Sequence, residues 1–300
     1  MKKCVLSKLI ILAAVTLVLG ALPGSPLRAQ TLYHITDLGV LPGGSYSCAE
    51  GINDSGQVVG WGDSASGSRA FLWDREQGMQ NLGVLPGGSS SYAEDMNDAG
   101  QIVGDSVGDT VRAFLWDREH GMQDLGVRPG GSSSFGEDIN DVGQIVGWGD
   151  DGASGWRAFL WDKEHGMQDL GILPGDSYSF GEDINDVGQI VGVSNGKAFL
   201  WDREQGMQNL GVPGGPRSYA EDINDAGQVV GYSYPDIGWR AFLWDSEHGM
   251  QDLNDLLAPD SAGWTLHSAT GIDNAGQIVG RAQAPDGTYR AFLATPTPVG

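Results

Sequence analysis

The side chains in this sequence best suited to chemistry are acidic, and they recur. Glu-Asp-Ile-Asn-Asp-x-Gly, or a close variant, sets Asp95, Asn97 and Asp98 ahead of Gly100, with equivalents at Asp138/Asn140/Asp141, Asp183/Asn185/Asp186 and Asp222/Asn224/Asp225. Calcium selects clustered oxygens, but an EF-type loop needs them at positions 1, 3 and 5 with Gly at 6. Here they fall at 1, 3 and 4. A hairpin turn held by Asn and Asp side chains is therefore the expectation, with calcium as its alternative and no other cofactor called for. The neighbouring pairs Glu94-Asp95 and Glu137-Asp138 have the chemistry of an acid and a base. Adjacent strand residues face opposite ways, so one such pair cannot flank one bond, although carboxylates from different copies can converge. His120, His165 and His248 occupy one equivalent turn, filled by Gln77 and Gln205 in other copies. Turns on separate units lie on the order of 10 Å or more apart, far beyond a zinc–nitrogen bond of about 2 Å, so they read as surface residues. Serine runs such as Ser89-Ser90-Ser91 and Ser132-Ser133-Ser134 come without a Gly-x-Ser-x-Gly elbow. No singular catalytic set and no metal site stands out from the periodic background.

Aromatic residues offer a different chemistry. Trp61, Trp148, Trp156, Tyr232, Tyr234, Trp239 and Tyr289 lie in segments that vary from copy to copy. They are the candidate ligand-binding residues, able to stack on sugar rings or to anchor a protein partner, the alternative being that they cap blade cores.

The elements that position them follow from self-similarity. Ile-Asn-Asp-x-Gly-Gln-Val/Ile-Val-Gly recurs so that the glycine before Gln stands at 56, 100, 143, 188, 227 and 276, with spacings of 44, 43, 45, 39 and 49. Ala-Phe-Leu-Trp-Asp recurs from Ala70, Ala113, Ala158, Ala198 and Ala241, and in degenerate form from Ala291. Asp/Asn-Leu-Gly begins at Asp37, Asn81, Asp124, Asp169 and Asn209, with Asp252-Leu253-Asn254 as its last version. Each unit holds four short strand-like runs separated by turn residues. Within the third run Ala70 and Leu72 face one way and Phe71 and Trp73 the other, so both faces are apolar. An antiparallel strand buried on both faces lies between two other sheets. These features predict an all-β, six-bladed β-propeller of four-stranded antiparallel blades. The N-terminal run Leu32–Gly39 matches a fourth strand while the last copy lacks one, so the N-terminal strand is expected to close the ring. An open β-repeat array is the alternative. The segments between the second and third strands share one face with the interblade linkers, and variable loops on a rigid scaffold are where binding concentrates.

Residues 1–29 read as a signal peptide: three lysines lead into the apolar run Leu9–Leu22, too short to span a bilayer, and Leu27-Arg28-Ala29 suits cleavage. The propeller is expected over 30–294, with a disordered tail at 295–300. Net charge is −22; loss of Lys2, Lys3, Lys8 and Arg28 leaves 13 basic against 39 acidic residues, a net charge of −26. Such a field repels nucleic acid and anionic membrane. Cys4 and Cys48 are the two cysteines, so a processed chain keeps one thiol, expected to pack as a small hydrophobe.

Asp-Leu-Gly-x-Leu-Pro-Gly-Gly, Ile-Asn-Asp-x-Gly-Gln-Val-Val-Gly and Arg-Ala-Phe-Leu-Trp-Asp together resemble the bacterial HAF-repeat extracellular proteins over essentially all of residues 31–294. Arg69, Arg112, Arg157, Arg240 and Arg290 stand where that family's name implies His. The resemblance implies a secreted repeat protein and assigns no activity. The expected function is a non-enzymatic, extracellular binding or scaffold module whose partner is a glycan or a protein. The alternatives are a carbohydrate-active hydrolase or lyase, with carboxylates at the channel mouth, and a structural surface or matrix component.

Overall fold

A computed structural model of the protein describes residues 36–152, 155–211, 216–235 and 238–296. Both the expected leader at 1–29 and most of the expected tail at 295–300 lie outside them. Six antiparallel meanders form, the first five of four strands and the last of three. The third blade is representative, with strands Ser134–Ile139, Ile145–Asp150, Trp156–Asp162 and Gly166–Gly171. The first strands of successive blades touch in ring order, from Ser47–Ile52 and Ser90–Met96 round to Thr265–Ile272, which sets them around the axis.

Asn-Asp-x-Gly closes the first hairpin of blades one to five, and Asp273-Asn274-Ala275-Gly276 that of blade six. In blade three the Asn140 N–H donates to the Gln144 carbonyl (3.1 Å), Gly143 N–H donates to the Asn140 carbonyl (2.9 Å), and Gln144 N–H donates to Asn140 Oδ1 (2.9 Å). Gly143 has φ of 80°, a conformation in which a Cβ is strained. Gly147, in the second strand, is required for another reason. A Cβ there would sit 2.0 Å from the Phe135 carbonyl oxygen and 3.0 Å from Cζ of Phe159, so only glycine lets this ring lie across the sheet.

The two-faced third strand is observed. Ala158, Phe159 and Leu160 are all fully buried. Ala158 and Leu160 of blade three pack with Ile184, Ile190 and Phe199 of blade four, while Phe159 packs with Val103, Ala113 and Leu115 of blade two. Phe114, Phe159, Phe199 and Phe242 repeat this arrangement, and Phe71 is likewise fully buried. A hydroxyl ties the four seams from blade one to blade five: Ala158 N–H, for example, donates to Ser179 Oγ (2.9 Å), which donates to the Gly171 carbonyl (2.6 Å).

Blades one and six differ from the others. Val279 is 45% and Leu293 63% exposed, whereas Val146 and Leu160 are fully buried; Ile52 is 68% exposed against 3% for Ile139. The run expected to cover this seam, Leu32–Gly39, lies partly outside the described residues. Its end has the geometry of an outer-strand end. Gly39 N–H donates to Asp37 Oδ1 (2.9 Å) and Ser47 Oγ to the Gly39 carbonyl (2.8 Å), as Gly171 N–H does to Asp169 Oδ1 (2.9 Å) and Ser179 Oγ to the Gly171 carbonyl (2.6 Å).

Cys48 is 9% exposed, packed as its place in the first strand requires.

Candidate functional site

The two ends of the ring are built differently. At one end the first-hairpin turns of all six blades surround an axial recess of about 460 Å³. Its polar groups bond one another around the ring. Asn97 Nδ2 donates to the Asn140 carbonyl, Asn140 Nδ2 to that of Asn185 and Asn185 Nδ2 to that of Asn224, each at 3.0 Å. Alongside, Asp98 N–H donates to Asp141 Oδ1 (2.9 Å) and Asp141 N–H to Asp186 Oδ1 (2.9 Å). The oxygens considered for calcium are thus acceptors within and between turns. Among the described residues no three His, Cys, Asp or Glu side chains converge as a metal site.

Behind the turns, Asp95, Asp138, Asp183 and Asp222 form an inner array. Asp138 Oδ2 accepts from Ile184 N–H (2.9 Å), Asp183 Oδ2 from Ile223 N–H (2.7 Å) and Asp222 Oδ2 from Ile272 N–H (2.7 Å), so each carboxyl caps the following blade. Burial, then the charge of Asp138, pushes Asp95 up to about 9 and holds Asp183 well above the usual carboxylate range. Burial, then Asp222, pushes Glu221 up to about 7. The first strands of blades one to five shift register at the glutamate, between Ala49 and Gly51 in blade one and between Ala220 and Asp222 in blade five, and that of blade six shifts at Thr270. This bulge corrects the strict alternation assumed for the Glu-Asp pairs: period two breaks at that residue.

His120, His165 and His248 are half-exposed, and each imidazole Nδ1 meets a carboxylate in its own turn, that of Asp117, Asp162 or Asp245, at 2.9–3.1 Å.

The opposite end carries the variable segments, and the seven candidate aromatics fall into three groups. Trp61 sits between Tyr46 (5.4 Å between ring centroids) and Tyr92 (5.2 Å), its Nε1 donating to Glu50 Oε1 (3.1 Å). Trp148 stacks on Phe135 at 3.9 Å and donates Nε1 to Glu137 Oε1 (2.9 Å), with Trp156 edge-on at 5.0 Å. Both Trp61 and Trp148 therefore cap blade interiors, and Trp156 is 36% exposed at their rim.

Tyr232, Tyr234, Trp239 and Tyr289 come together over blades five and six. Tyr219 stacks on Tyr232 (4.9 Å, 24°), and Trp239 meets Tyr232 and Tyr234 edge-on at 4.9 and 4.8 Å. Trp239, Tyr234 and Tyr289 remain 45%, 44% and 55% exposed. Trp239 is shared by two clefts. One, of about 410 Å³, is lined by Tyr232, Trp239, His267, Ser268, Arg281 and Tyr289; the other, of about 420 Å³, by Pro216, Arg217, Tyr219, Tyr234 and Trp239. Both volumes fall in the roughly 300–1,000 Å³ range of small-ligand sites.

Sequence reasoning misses His267, Ser268, Arg217 and Arg281 in these clefts. Its available signal was the departure of the sixth copy from the repeat. Arg281 stands where other copies carry Trp61, Asp105, Trp148, Val193 and Tyr232, and Ser268 where they carry Cys48, Tyr92, Phe135, Phe180 and Tyr219.

With six meandering sheets around an axis, likeness to solved structures can be placed. The β-propeller domain of the Trilobed protease from Pyrococcus furiosus aligns at TM-score 0.52 and 12% identity, over 84% of this chain and 78% of that one. The chain is a six-bladed β-propeller. Puromycin hydrolase, as an S511A mutant complexed with PGG, aligns at TM-score 0.50 and 14% identity over 79% of this chain and 43% of the hydrolase. TolB from Acinetobacter baumannii aligns at TM-score 0.45 and 13% identity over 80% of this chain, which spans 63% of TolB. At these identities the likeness concerns the propeller fold alone. A family profile described as a protein of unknown function (DUF3466) matches residues 174–290 of the propeller. No curated protein matches the sequence. No helix among the described residues is long and apolar enough to cross a membrane.

Proposed function

We propose that this propeller is an extracellular, non-enzymatic binding module that takes a glycan or a protein partner on the variable face of blades five and six. One observation carries the reading: Trp239, a large aromatic left 45% exposed, forms a wall of two adjoining clefts on a rigid scaffold. Half-exposed aromatic walls bind by stacking and desolvation, and such residues dominate binding energy where they occur. The leader-like residues 1–29, the strongly acidic composition and the HAF-repeat resemblance support a place outside the cell. The two other aromatic groups support it by contrast, since their tryptophans are engaged by stacking and by Glu50 or Glu137. Glycan-array and secretome pull-down screens with the wild type, Trp239→Ala and Trp156→Ala provide the test. Capture is expected to weaken by roughly 30-fold in Trp239→Ala, corresponding to a hot spot of about 2 kcal/mol, and to persist in Trp156→Ala. Equal capture by wild type and Trp239→Ala, or no ligand in either screen, would end this reading.

A further inference from the structure

Blade six breaks the repeat at one spot, and the break is chemical. In blades one to five the first strand shifts register against the second once, at the glutamate position. In blade six it shifts twice, and the additional shift, between Leu266 and Ser268, falls at His267. A bulge re-aims a side chain, and bulges concentrate beside functional sites. Here it sets the imidazole against Tyr289, with ring centroids 5.3 Å apart, in the 410 Å³ cleft. The Arg281 guanidinium lies over the same Tyr289 ring, 4.4 Å from its centroid, and makes no ion pair among the described residues. Arg240, on the adjoining strand, donates to the Trp239 carbonyl (3.1 Å) with its Nε 3.8 Å from Asp252. Burial, then Arg240 and Arg281, holds His267 below the usual imidazole range, as a locally positive field requires. Nε2 of His267 is buried without a hydrogen-bond partner.

In a protein with 39 acidic and 17 basic residues, a cleft whose lining among the described residues holds an arginine and a histidine and no carboxylate runs against the composition. Its form is also specific: flat rings at Trp239, Tyr232 and Tyr289 form the walls, and a guanidinium stands at one side. A guanidinium pairs with carboxylate through two parallel hydrogen bonds, while aromatic faces accept the apolar face of a sugar ring. We infer that the cleft between blades five and six binds an acidic sugar, a hexuronate whose carboxylate is held by Arg281 and whose ring stacks against the Trp239–Tyr289 walls. This rests on the binding-module reading above and specifies the ligand for it.

The test uses the full-length protein secreted and purified from its expression host. Immobilised oligosaccharides of galacturonate, glucuronate and mannuronate are offered as free acids and as methyl esters, which keep the ring and remove the charge. At least one free acid is expected to bind at least about tenfold more tightly than its ester. Arg281→Met, which keeps an apolar chain over Tyr289, is expected to erase that difference. Arg281→Lys should retain most of it, which separates a charge effect from misfolding, and Trp239→Ala should weaken acid and ester alike. Equal binding of acid and ester, no binding by any free acid, or a preference that survives in Arg281→Met overturns the inference. Neutral glycans lost in Trp239→Ala but indifferent to Arg281→Met would sink the acidic-sugar assignment and leave the binding module standing; a protein that binds nothing on the array or from the secretome loses both.

Discussion

Replacing Asn140 by Asp keeps the outline of the side chain and reverses the polarity of one end. Asn140 is 4% exposed, and its Nδ2 donates to Gln144 Oε1 and to the Asn185 carbonyl, both at 3.0 Å. An ionised Asp at that position would turn both bonds into contacts between acceptors. Two lost bonds at about 1 kcal/mol each, with a buried carbonyl left unpaired at roughly 1–3 kcal/mol, give a destabilisation of about 3–5 kcal/mol. For a domain of this size that lowers Tm by roughly 10 °C. Asn140→Ala buries no charge, but it also removes the Oδ1 acceptor of the Gln144 N–H and should cost about 4–6 kcal/mol. The pH dependence separates the two. Burial among acceptors raises the folded-state pKa of the new carboxyl, so its relative stability is full below the unfolded value of about 3.9 and is lost as pH rises through the folded value. Urea denaturation of wild type and both variants at about pH 4 and about pH 8 therefore decides the matter. The Asp variant should lose stability relative to the Ala variant between the lower and the higher pH. A loss under about 1 kcal/mol for either, or an Asp variant with no pH-dependent deficit, would show that the interblade amide ladder is not a structural tie.

Two other outcomes follow from the same architecture. Asp95 is pushed up to about 9 by burial and then by Asp138. A carboxyl with a raised folded pKa contributes stability below its unfolded value and loses it as pH rises, so wild-type stability should decline from about pH 4 towards about pH 9. Asp95→Asn should flatten that decline in urea melts, and a variant with an unchanged slope would contradict the assignment. Deleting residues 30–38 should lower Tm by roughly 5–10 °C, because the closing run is expected to cover Val279 and Leu293, which are 45% and 63% exposed among the described residues. A deletion with an unaltered melt would show that this seam needs no cover from the N-terminal run.

Much of the architecture could be read from the sequence because it rests on periods. The alternation of Ala70, Phe71, Leu72 and Trp73 requires two apolar faces, and Ala70 and Leu72 do pack on the following blade beside Phe114. Asn-Asp-x-Gly carries its turn chemistry in its residue types, and the turns at Asn53, Asn97 and Asn140 close alike. Composition and spacing do not encode where a side chain reaches once the turn is made. That Asn140 Nδ2 leaves its own hairpin for the Asn185 carbonyl depends on the rotation between blades, a property of the assembled ring. The bulge at each glutamate was likewise hidden, since one inserted residue shifts every later side chain without changing residue type. The binding-face candidates were recognisable as a class, yet Trp61 and Trp239 look equivalent as letters; only the glutamate beside Trp61 distinguishes a capped ring from an offered one. His267 and Arg281 lie in the copy that departs from the repeat, where the period carries no signal, and the additional bulge that aims His267 leaves no mark in residue type.

The amide ladder has a direction, each copy donating to the one after it, and this bears on how such a molecule changes length. Asn53, Asn97, Asn140, Asn185 and Asn224 all play the same part, so duplicating or excising one whole internal unit restores every bond at the new junction. The last copy cannot be exchanged in this way. Asp273 receives from Asn224 through its carbonyl while its carboxylate accepts from Ala275 and Gln277. Recombination among the first four copies therefore alters ring size while conserving the last two, and a lineage built on this chain can change its diameter without rebuilding the cleft between Trp239 and Arg281.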